Sequence, residues 1–513
     1  MNHSSTDAPA EGVAPMQSNT WHSWDPTPWR HPWLTSANLR AARSHDERLF
    51  ASLIDNPSLS GTGRYGFVGN LANNMTIRAL PLRRRALQIT LFLHPFDTFV
   101  MSQPGWELSD AILTSDERDA KALAAGGVYL PDVPDTVTLD MPQGGNEWIG
   151  EIARGTSRQD WPPSGVPSYL RQFDAVNWPD FLSYIPALNQ LQSCAALFAA
   201  QTPYLAYLAR RPYLAAQTGG DLWFDAARND GLGTLQRRAY QHAAAILATN
   251  PWAYANARRY GFRHVIYLPL LIDVDAYSPG HTAERREWEA RVGGDFFALV
   301  TARLDRRWKG SQIGLDGFVQ FADRYPGARL AVIGWGDGTP EYAGELQRRG
   351  LQGRVVFLPV SGKRKLIEYL RAADCVIDQF VTGYYGATAL EALSTGTPVV
   401  MRLERDQYDA LCWTGAPPVL AAGEPNAVAA GLERLYASSD ERQRLAVASR
   451  RWIQLNHSVE VWGSRYAAIL AATAARMRPS FRSSPLAQPL TSDELEYHRA
   501  GLLQAPEFPR YEI

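Results

Sequence analysis

Cysteine is scarce in this chain: among 513 residues there are three, Cys194, Cys375 and Cys412, which lie far apart and show no CxxC spacing. Their spacing excludes a disulfide framework and a zinc site built from cysteines. Scattered cysteines of this kind are typical of a protein from a reducing compartment. His22 and His31 lack neighbours at ligand spacing, so we interpret them as surface residues rather than metal ligands.

Long apolar runs and a strong net charge are missing as well. The most apolar stretch, residues 194–209, is interrupted by Gln201 and Pro203, so it is not a bilayer-spanning segment. The first residues show no basic segment followed by an apolar one, and we expect no signal peptide. The formal net charge is -1, which gives no indication of a nucleic-acid partner. These absences favour a soluble cytoplasmic protein and leave peripheral contact with the inner face of a membrane open.

The chain does contain a repeated strand–helix order. Its 513 residues exceed what one core accommodates, so two domains are expected. Regular structure is predicted to begin near Arg64, where residues 64–93 have the pattern strand–Gly–helix–strand. From residue 296 to residue 401, strands and helices alternate regularly. This alternation predicts an α/β protein with two Rossmann-like, doubly wound parallel sheets that face each other across a cleft.

Composition divides the chain into five predicted parts: an arm rich in Pro and Trp (1–45), a first domain with a loop-rich insertion at about 95–168 (46–275), a second domain (281–455), a helix that crosses back to the first domain (456–477) and a tail (478–513). Within the first domain we predict a strand over 173–177, followed by helices up to residue 210. The Pro-bounded segment 269–279 is the predicted hinge.

A DxD sequence, Asp273-Val274-Asp275, lies in this hinge and matches a metal-binding motif. Such motifs normally follow a core strand early in a domain, whereas this one is in a connector flanked by prolines. We therefore predict no metal site.

Three loops of the second domain follow predicted strands. Arg303 and Lys309 lie on the first loop, glycines 334–338 on the second, and a Gly-bearing loop with a short helix over 378–400 on the third. Arginine grips two phosphate oxygens and lysine acts as a point charge, and a helix N-terminus attracts anions. Each loop alone is weak evidence, and the third is also compatible with an ordinary βαβ unit. Together, at one sheet edge, they predict a cleft for a nucleoside diphosphate.

These motifs resemble the donor domain of GT-B glycosyltransferases, in particular glycosyltransferase family 4. The matching features are Arg303 with Lys309-Gly310, Gly334-Trp335-Gly336, the connector 272–279, and the run Glu391 to Val399, which carries the Glu-Ala and the Gly-x-Pro-Val of the family's donor signature. The opening Gly-Asn-Leu-Ala-Asn-Asn at 69–74 is similar to that of a divergent bacterial subgroup. The resemblance covers residues 64–94 and 172–475.

The resemblance implies retaining, metal-independent transfer of a hexose-like sugar from a nucleotide-sugar donor to a saccharide or glycoconjugate acceptor, without a cofactor. Arg303 and Lys309 would hold the diphosphate and stabilise the leaving group, and Asp221 would orient a hydroxyl. Glu391 would bind the ribose. The remaining donor-binding residues implied are Gly386, Ala387, Thr388, Gly69, Asn70, Gly334, Asp378 and Gln379.

Two positions depart from the family pattern. Gly383 stands where members usually have a second Glu, eight positions before Glu391, and Asp378 and Gln379 are the nearest polar replacements. Thr218 stands where members often have a His. The departures leave two hypotheses open: an active transferase of polysaccharide or glycoconjugate synthesis, and a nucleotide-sugar-binding regulatory or scaffold subunit without transferase activity.

Overall fold

The computed structural model describes residues 31–59, 63–70, 73–93, 106–107, 135–139, 185–200, 203–217, 222, 225–228, 231–306, 309–336, 338–477 and 479–499. Within these ranges the strands form two sheets, and every strand pair in them is parallel. Such sheets are covered by helices and need apolar strands.

The first domain has a sheet of order β3-β2-β1-β4-β5-β6-β7 over the described residues. Its strands are β1 (Arg64–Val68), β2 (Gln88–Leu93), β3 (Asp135–Thr138), β4 (Ala196–Ala200), β5 (Tyr213–Gln217), β6 (Ile246–Ala248) and β7 (Val265–Tyr267). Every residue of β4 and β5 is buried, which places these two strands in the centre of the core.

The second domain has a sheet of order β10-β9-β8-β11-β12-β13 over the described residues. Its strands are β8 (Phe296–Val300), β9 (Ala328–Ile333), β10 (Val355–Leu358), β11 (Cys375–Ile377), β12 (Val399–Met401) and β13 (Leu420–Ala421). The chain first adds β9 and β10 on one side of β8 and then returns to add β11 on the other. The crevice between β8 and β11 is therefore the switch point, where open α/β sheets bind ligands.

The described helices are α1 (Ser36–Ile54), α2 (Asn74–Arg83), α3 (Ile185–Gln192), α4 (Pro203–Leu208), α5 (Gly231–His242), α6 (Trp252–Arg259), α7 (Glu284–Val292), α8 (Ser311–Arg324), α9 (Thr339–Arg348), α10 (Lys363–Ala372), α11 (Ala387–Thr395), α12 (Arg405–Leu411), α13 (Pro425–Ala437), α14 (Ser439–His457), α15 (Val459–Ala474) and α16 (Ser492–Arg499). None of them combines the length and the apolar character that crossing a membrane requires.

The prediction of helices up to residue 210 was wrong for β4, which pairs with β1 and β5. A short run buried on both faces shows no alternation, so its pattern does not distinguish a strand from a buried helix. The loop-rich insertion also contributes β3, which pairs with β2 at the edge of the sheet. The strand predicted over 173–177 lies outside the described residues.

The N-terminal arm was predicted to lack regular structure, but α1 begins at Ser36 within it. Thr35 caps this helix, its hydroxyl accepting a hydrogen bond from the backbone N–H of Asn38 at 3.2 Å. Asp46 anchors α1 to the first domain by accepting from the Tyr267 backbone N–H at 2.8 Å, and Arg43 donates to the Cys412 carbonyl of the second domain at 3.0 Å. Tertiary contacts rather than local periodicity stabilise this helix.

The C-terminal part of the chain returns to the first domain. Helix α15 packs against α2, β4 and β5, and Tyr466 on it donates a hydrogen bond to the Pro269 carbonyl at 2.6 Å. The tail then docks through Glu494, which forms a buried ion pair with Arg258 at 2.7 Å. The tail therefore has defined tertiary contacts up to α16.

Candidate functional site

The candidate site lies at the switch point of the second sheet, where loop 301–310 after β8 meets loop 378–386 after β11. The two loops are joined directly, because the backbone N–H of Phe380 donates to the Lys309 carbonyl at 2.8 Å. Gly310 has φ +67°, and a Cβ there would lie 3.1 Å from Val381 Cγ2. A glycine at this point therefore permits both the left-handed turn and the close contact.

The glycine loop after β9 packs onto the first of these loops. The backbone N–H of Leu304 donates to the Trp335 carbonyl at 2.9 Å, and that of Gly338 donates to the Leu304 carbonyl at 3.1 Å. Gly336 has φ +95°, and a Cβ there would lie 2.5 Å from Arg303 Cγ. The predicted Gly334 lies at the start of this loop, beside Thr339. The glycines thus allow the Arg303 side chain to lie across the loop.

The cations predicted to bind the diphosphate are positioned by polar neighbours. Lys309 Nζ donates to Gln379 Oε1 at 2.8 Å, and Gln379 in turn donates to the Tyr384 carbonyl. Burial lowers the pKa of Lys309, an effect opposed by the nearby Asp378 carboxylate. Arg303 forms an ion pair with Asp305 at 3.1 Å, with its side chain 23% exposed. Gln379 therefore orients Lys309 within the site.

Asp378 is a buried carboxyl group at the end of β11. Neither of its oxygens has a hydrogen-bond partner among the described residues. Burial raises its pKa to about 6, while Lys309 acts in the opposite direction. A buried acceptor without a partner costs about 1–3 kcal/mol, so this carboxyl group is suited to accept a hydrogen bond from a ligand.

The short helix α11 begins at this loop with Gly386 as its N-cap residue. As a glycine, Gly386 supplies no side-chain cap to the helix, and Gly386, Ala387 and Thr388 are partly exposed. A Cβ at Gly386 would meet no atom within 4 Å, so the space beside it is open. The first-turn amides and the positive end of the helix dipole are therefore available to an anion.

Glu391, the predicted ribose ligand, lies one turn into α11 and forms a buried ion pair. Lys363 Nζ donates to Glu391 Oε1 at 2.5 Å, with the side chains 7% and 1% exposed. The other oxygen, Oε2, has no hydrogen-bond partner among the described residues. Sequence reasoning missed Lys363, the first residue of α10, because a lysine at a helix start carries no signal of a partner on another helix.

Two residues of the first-domain insertion reach this ion pair. Lys363 Nζ lies 4.4 Å from the centroid of the Trp106 ring, and the Trp106 indole N–H donates to the Ser361 carbonyl at 2.9 Å. Glu107 Oε1 accepts from the Tyr277 hydroxyl at 2.7 Å. Burial raises the pKa of Glu107 to about 7. Sequence reasoning assigned both residues to loops and gave them no role.

At Gly383 the structure shows why glycine replaces the carboxylate expected there. Its φ is +72°, and a Cβ would lie 2.7 Å from Glu404 Cγ. The Glu404 side chain fills the adjacent space and pairs with Arg402 at 2.9 Å. A glutamate at position 383 would thus be strained and would collide with Glu404. Glu404 is a further carboxylate of the site that sequence reasoning missed.

The loop is also tied to the hinge through Tyr385. Burial lowers the pKa of His457 to about 4, so this imidazole is neutral at physiological pH. Its Nδ1 donates to the Leu270 carbonyl at 2.7 Å, which leaves Nε2 to accept from the Tyr385 hydroxyl at 3.2 Å. The residue before Gly386 is therefore linked through His457 to the segment that joins the domains.

Two of the predicted first-domain residues have internal roles. Gly69 has φ +86°, and a Cβ there would lie 2.1 Å from the Ala200 carbonyl oxygen. The Asn70 side chain is buried, and its Oδ1 accepts from the backbone N–H groups of Met75 at 3.1 Å and Thr76 at 2.9 Å. Asn70 therefore caps the start of α2. The predicted catalytic Asp221, with Thr218, lies outside the described residues.

The DxD residues of the hinge make protein contacts. Asp273 accepts from Arg84 at 2.9 Å and from the Asp275 backbone N–H at 3.2 Å. In the part of the chain that the structure describes, no group of three or more His, Cys, Asp or Glu side chains is arranged to hold a metal ion.

Comparison with known sequences identifies the second domain. Residues 296–438 match the family of glycosyl transferases group 1. The D-inositol 3-phosphate glycosyltransferase of Corynebacterium jeikeium (strain K411) is 32% identical over 142 residues, 26% of this chain and 34% of that protein. That of Nocardiopsis dassonvillei is 26% identical over 400 residues, 71% of this chain and 89% of that protein. This chain spans about a third of the length of most of the curated relatives it matches.

Comparison with solved structures identifies the fold. HepE of Anabaena, solved in complex with UDP and glucose, aligns with a TM-score of 0.55 at 15% identity, covering 80% of this chain and 100% of HepE. The chain thus has the two-domain GT-B architecture, and the predicted fold class and the predicted resemblance to GT-B enzymes of family 4 are confirmed. The predicted enzyme class, a glycosyltransferase, is that of these relatives.

Proposed function

We propose that the protein is a retaining glycosyltransferase that moves a sugar from a nucleotide-sugar donor to an acceptor hydroxyl in polysaccharide or glycoconjugate synthesis. One observation carries the proposal. At the switch point, the two cations Arg303 and Lys309 adjoin a helix N-terminus whose cap residue is Gly386 and two buried carboxyl groups, Asp378 and Glu391, that have oxygens without partners among the described residues. This combination suits a ligand that carries both a diphosphate and hydroxyl groups.

The diphosphate subsite would be formed by the two cations and α11. Lys309, oriented by Gln379, and Arg303 supply positive charge, and the amides of Gly386, Ala387 and Thr388 supply hydrogen-bond donors. In sugar transfer, negative charge grows on the diphosphate as it leaves. Donors fixed in advance stabilise that charge without reorganisation. The chain's own residues thus supply the charge stabilisation that departure of the diphosphate requires.

The hydroxyl groups of the donor would be bound by the carboxyl groups. Glu391 Oε2 and both oxygens of Asp378 are buried acceptors without partners among the described residues. Hydroxyl donors from the ribose and the transferred sugar would satisfy them. We assign Glu391 to the ribose, because Lys363 holds its other oxygen, and Asp378 to the transferred sugar, because it lies beside Lys309.

The comparisons support the proposal that the donor is a nucleotide sugar. HepE, which shares the fold, was solved with UDP and glucose and also with UDP-glucose. The relatives are named as glycosyltransferases of D-inositol 3-phosphate. A nucleotide sugar is therefore the donor class we propose, with a saccharide or glycoconjugate as the acceptor. The protein is proposed to work in the cytoplasm, without a metal or other cofactor.

Donor hydrolysis by the purified protein tests the proposal. We expect slow release of free sugar from at least one nucleotide sugar, and Lys309→Glu should abolish binding of the nucleoside diphosphate. The control variant Arg348→Glu reverses a charge on the exposed surface of α9, where the side chain is 65% exposed, and should bind normally. Tight donor binding without turnover of any donor or acceptor would instead support a binding subunit. Unchanged affinity in Lys309→Glu would refute the diphosphate site.

A further inference from the structure

The buried charged groups of the site form a row. Lys309 Nζ donates to Gln379, the residue after Asp378, at 2.8 Å, and the Asp378 carboxyl group interacts electrostatically with Glu391. Lys363 Nζ donates to Glu391 and lies 4.4 Å from the centroid of the ring of Trp106, the residue before Glu107. The order along the row is therefore Lys309, Asp378, Glu391, Lys363, Glu107. Under the proposed function, the diphosphate lies at the Lys309 end and the ribose at Glu391. Because the ribose joins the diphosphate to the base, the base must extend towards Glu107.

That end of the row has the features of a base-binding site. The Trp106 ring lies beside Lys363 and is held by a hydrogen bond from its indole N–H to the Ser361 carbonyl at 2.9 Å. The Lys363 ammonium lies over one face of this ring, and the opposite face of such a ring can stack on any base. Glu107 uses Oε1 to accept from the Tyr277 hydroxyl. Its Oε2 is buried and has no partner among the described residues, so it is an acceptor that a ligand N–H can satisfy.

The chemistry of a carboxylate selects among the bases. Hydrogen bonds from a base edge favour the ionised form of Glu107, and an ionised carboxylate only accepts hydrogen bonds, so the bound state favours a base edge with adjacent donors. Guanine presents N1–H beside its N2 amino group. Uracil and thymine present a single N–H between two carbonyl oxygens, which a carboxylate repels. Adenine presents its amino group beside an acceptor nitrogen. Guanine is therefore the base that matches Glu107.

We propose that Trp106 and Glu107, supplied by the first domain, form the nucleobase subsite and select a guanosine-diphosphate sugar as the donor. This inference rests on the proposed function, since it takes Arg303 and Lys309 as the diphosphate site. It assigns substrate selection to an insertion in the first domain, while the second domain holds the parts common to all nucleoside diphosphates.

Calorimetric titration of the full chain with GDP, UDP and ADP tests this inference. We expect GDP to bind about tenfold or more tightly than UDP and ADP, because Oε2 and the remaining lone pair of Oε1 can accept from the two adjacent donors of guanine. Glu107→Gln should remove the preference, because the amide replaces one acceptor oxygen with a donor. Trp106→Leu should weaken all three nucleotides, because stacking is tolerant of the base.

The outcomes separate the inference from the proposed function. Equal affinity of the unaltered protein for the three nucleotides would overturn the guanine assignment while leaving the diphosphate site in place. Equal weakening of all three by Glu107→Gln would show that Glu107 only ties the insertion to Tyr277, and would also overturn it. If none of the three bound, the proposed function would fail, and this inference with it. The comparison within the unaltered protein does not depend on how well either variant folds.

Discussion

The two domains have closely similar sheets, but the residues at their two switch points make different contacts. In the first domain, Gly69 lies against the Ala200 carbonyl and the Asn70 side chain is used to cap α2. In the second, α11 has no side-chain cap, and Asp378 and Glu391 keep oxygens without partners among the described residues. The same fold thus uses the Asn70 side chain to cap the helix at one crevice, whereas at the other the cap residue of α11 is a glycine and two carboxyl groups are left for a ligand to satisfy. Function follows from the polar atoms that folding leaves unsatisfied.

Removing the Lys363 charge that pairs with Glu391 should have the largest effect on stability. Lys363→Met leaves a buried carboxylate without its partner, and the free energy of unfolding should fall by about 3–5 kcal/mol. Urea denaturation measures this loss. The double variant Lys363→Met/Glu391→Gln should recover most of the stability without recovering nucleotide binding. The control Arg348→Met breaks an exposed pair and should cost less than about 1 kcal/mol. If Lys363→Met and Arg348→Met lowered the free energy of unfolding by similar amounts, Lys363 and Glu391 would not form a buried ion pair.

Removing the cation at the open crevice should have the largest effect on catalysis. In Lys309→Met, the charge that develops on the leaving diphosphate loses one preorganised donor, and kcat should fall about 10²–10³-fold. Donor hydrolysis measures this fall, with Arg348→Met as the control of matched charge change. A loss confined to KM would show that Lys309 binds the ground state and the transition state equally well.

Adding a methyl group to a glycine in each domain tests the comparison directly. Gly69→Ala places a Cβ at a positive φ and against the Ala200 carbonyl, and should lower the free energy of unfolding by about 2–3 kcal/mol. Gly386→Ala points into open space, so the free energy of unfolding should stay within about 0.5 kcal/mol. Thermal unfolding with and without nucleoside diphosphate measures both. Gly386→Ala should no longer be stabilised by the nucleotide. If both variants lost the same amount of stability without nucleotide, the two glycines would not differ in the way proposed.

The sequence alone was sufficient to predict the features of the second domain that depend on the local order of strands and helices. Strands β8 to β12 are short apolar runs separated by helices of regular length, so their order and their carboxyl ends were predictable. That placed Arg303, Lys309 and Glu391 at one sheet edge before any contact was known. Their roles remain predictions, because their chemistry depends on a ligand.

What the sequence did not reveal depends on contacts between distant positions. Lys363 pairs with Glu391 28 residues away, and Trp106 contacts Ser361 255 residues away, so no local pattern signals either. Glu404 was missed because only the backbone turn at Gly383 brings the two together. Helix α1 and strand β4 were missed because packing, rather than periodicity, decides their structure.

Substitution of the buried Asp378 should have the smallest effect. It tests whether a carboxyl group kept for a ligand in the second-domain crevice lowers the free energy of unfolding. Its pKa is raised by burial from the usual 3.8 to about 6. The folded protein therefore binds more protons than the unfolded chain between these values, so the free energy of unfolding falls as pH rises from about 4 to 6. Asp378→Asn removes this loss and should raise the free energy of unfolding at pH 7 by on the order of 2 kcal/mol, while donor hydrolysis falls.

Urea denaturation at pH 4 and pH 7 compares the two proteins. The gain from Asp378→Asn should be present at pH 7 and nearly absent at pH 4, where the carboxyl group is protonated in the folded protein. The matched control is Asp305→Asn, since Asp305 is partly exposed and already paired with Arg303, so it should produce no gain at pH 7. A variant that gains stability and loses activity would show that the crevice is kept incomplete for a ligand. A loss of stability at pH 7 would instead show that Asp378 is a structural partner of Lys309, and the second domain would then be as complete as the first.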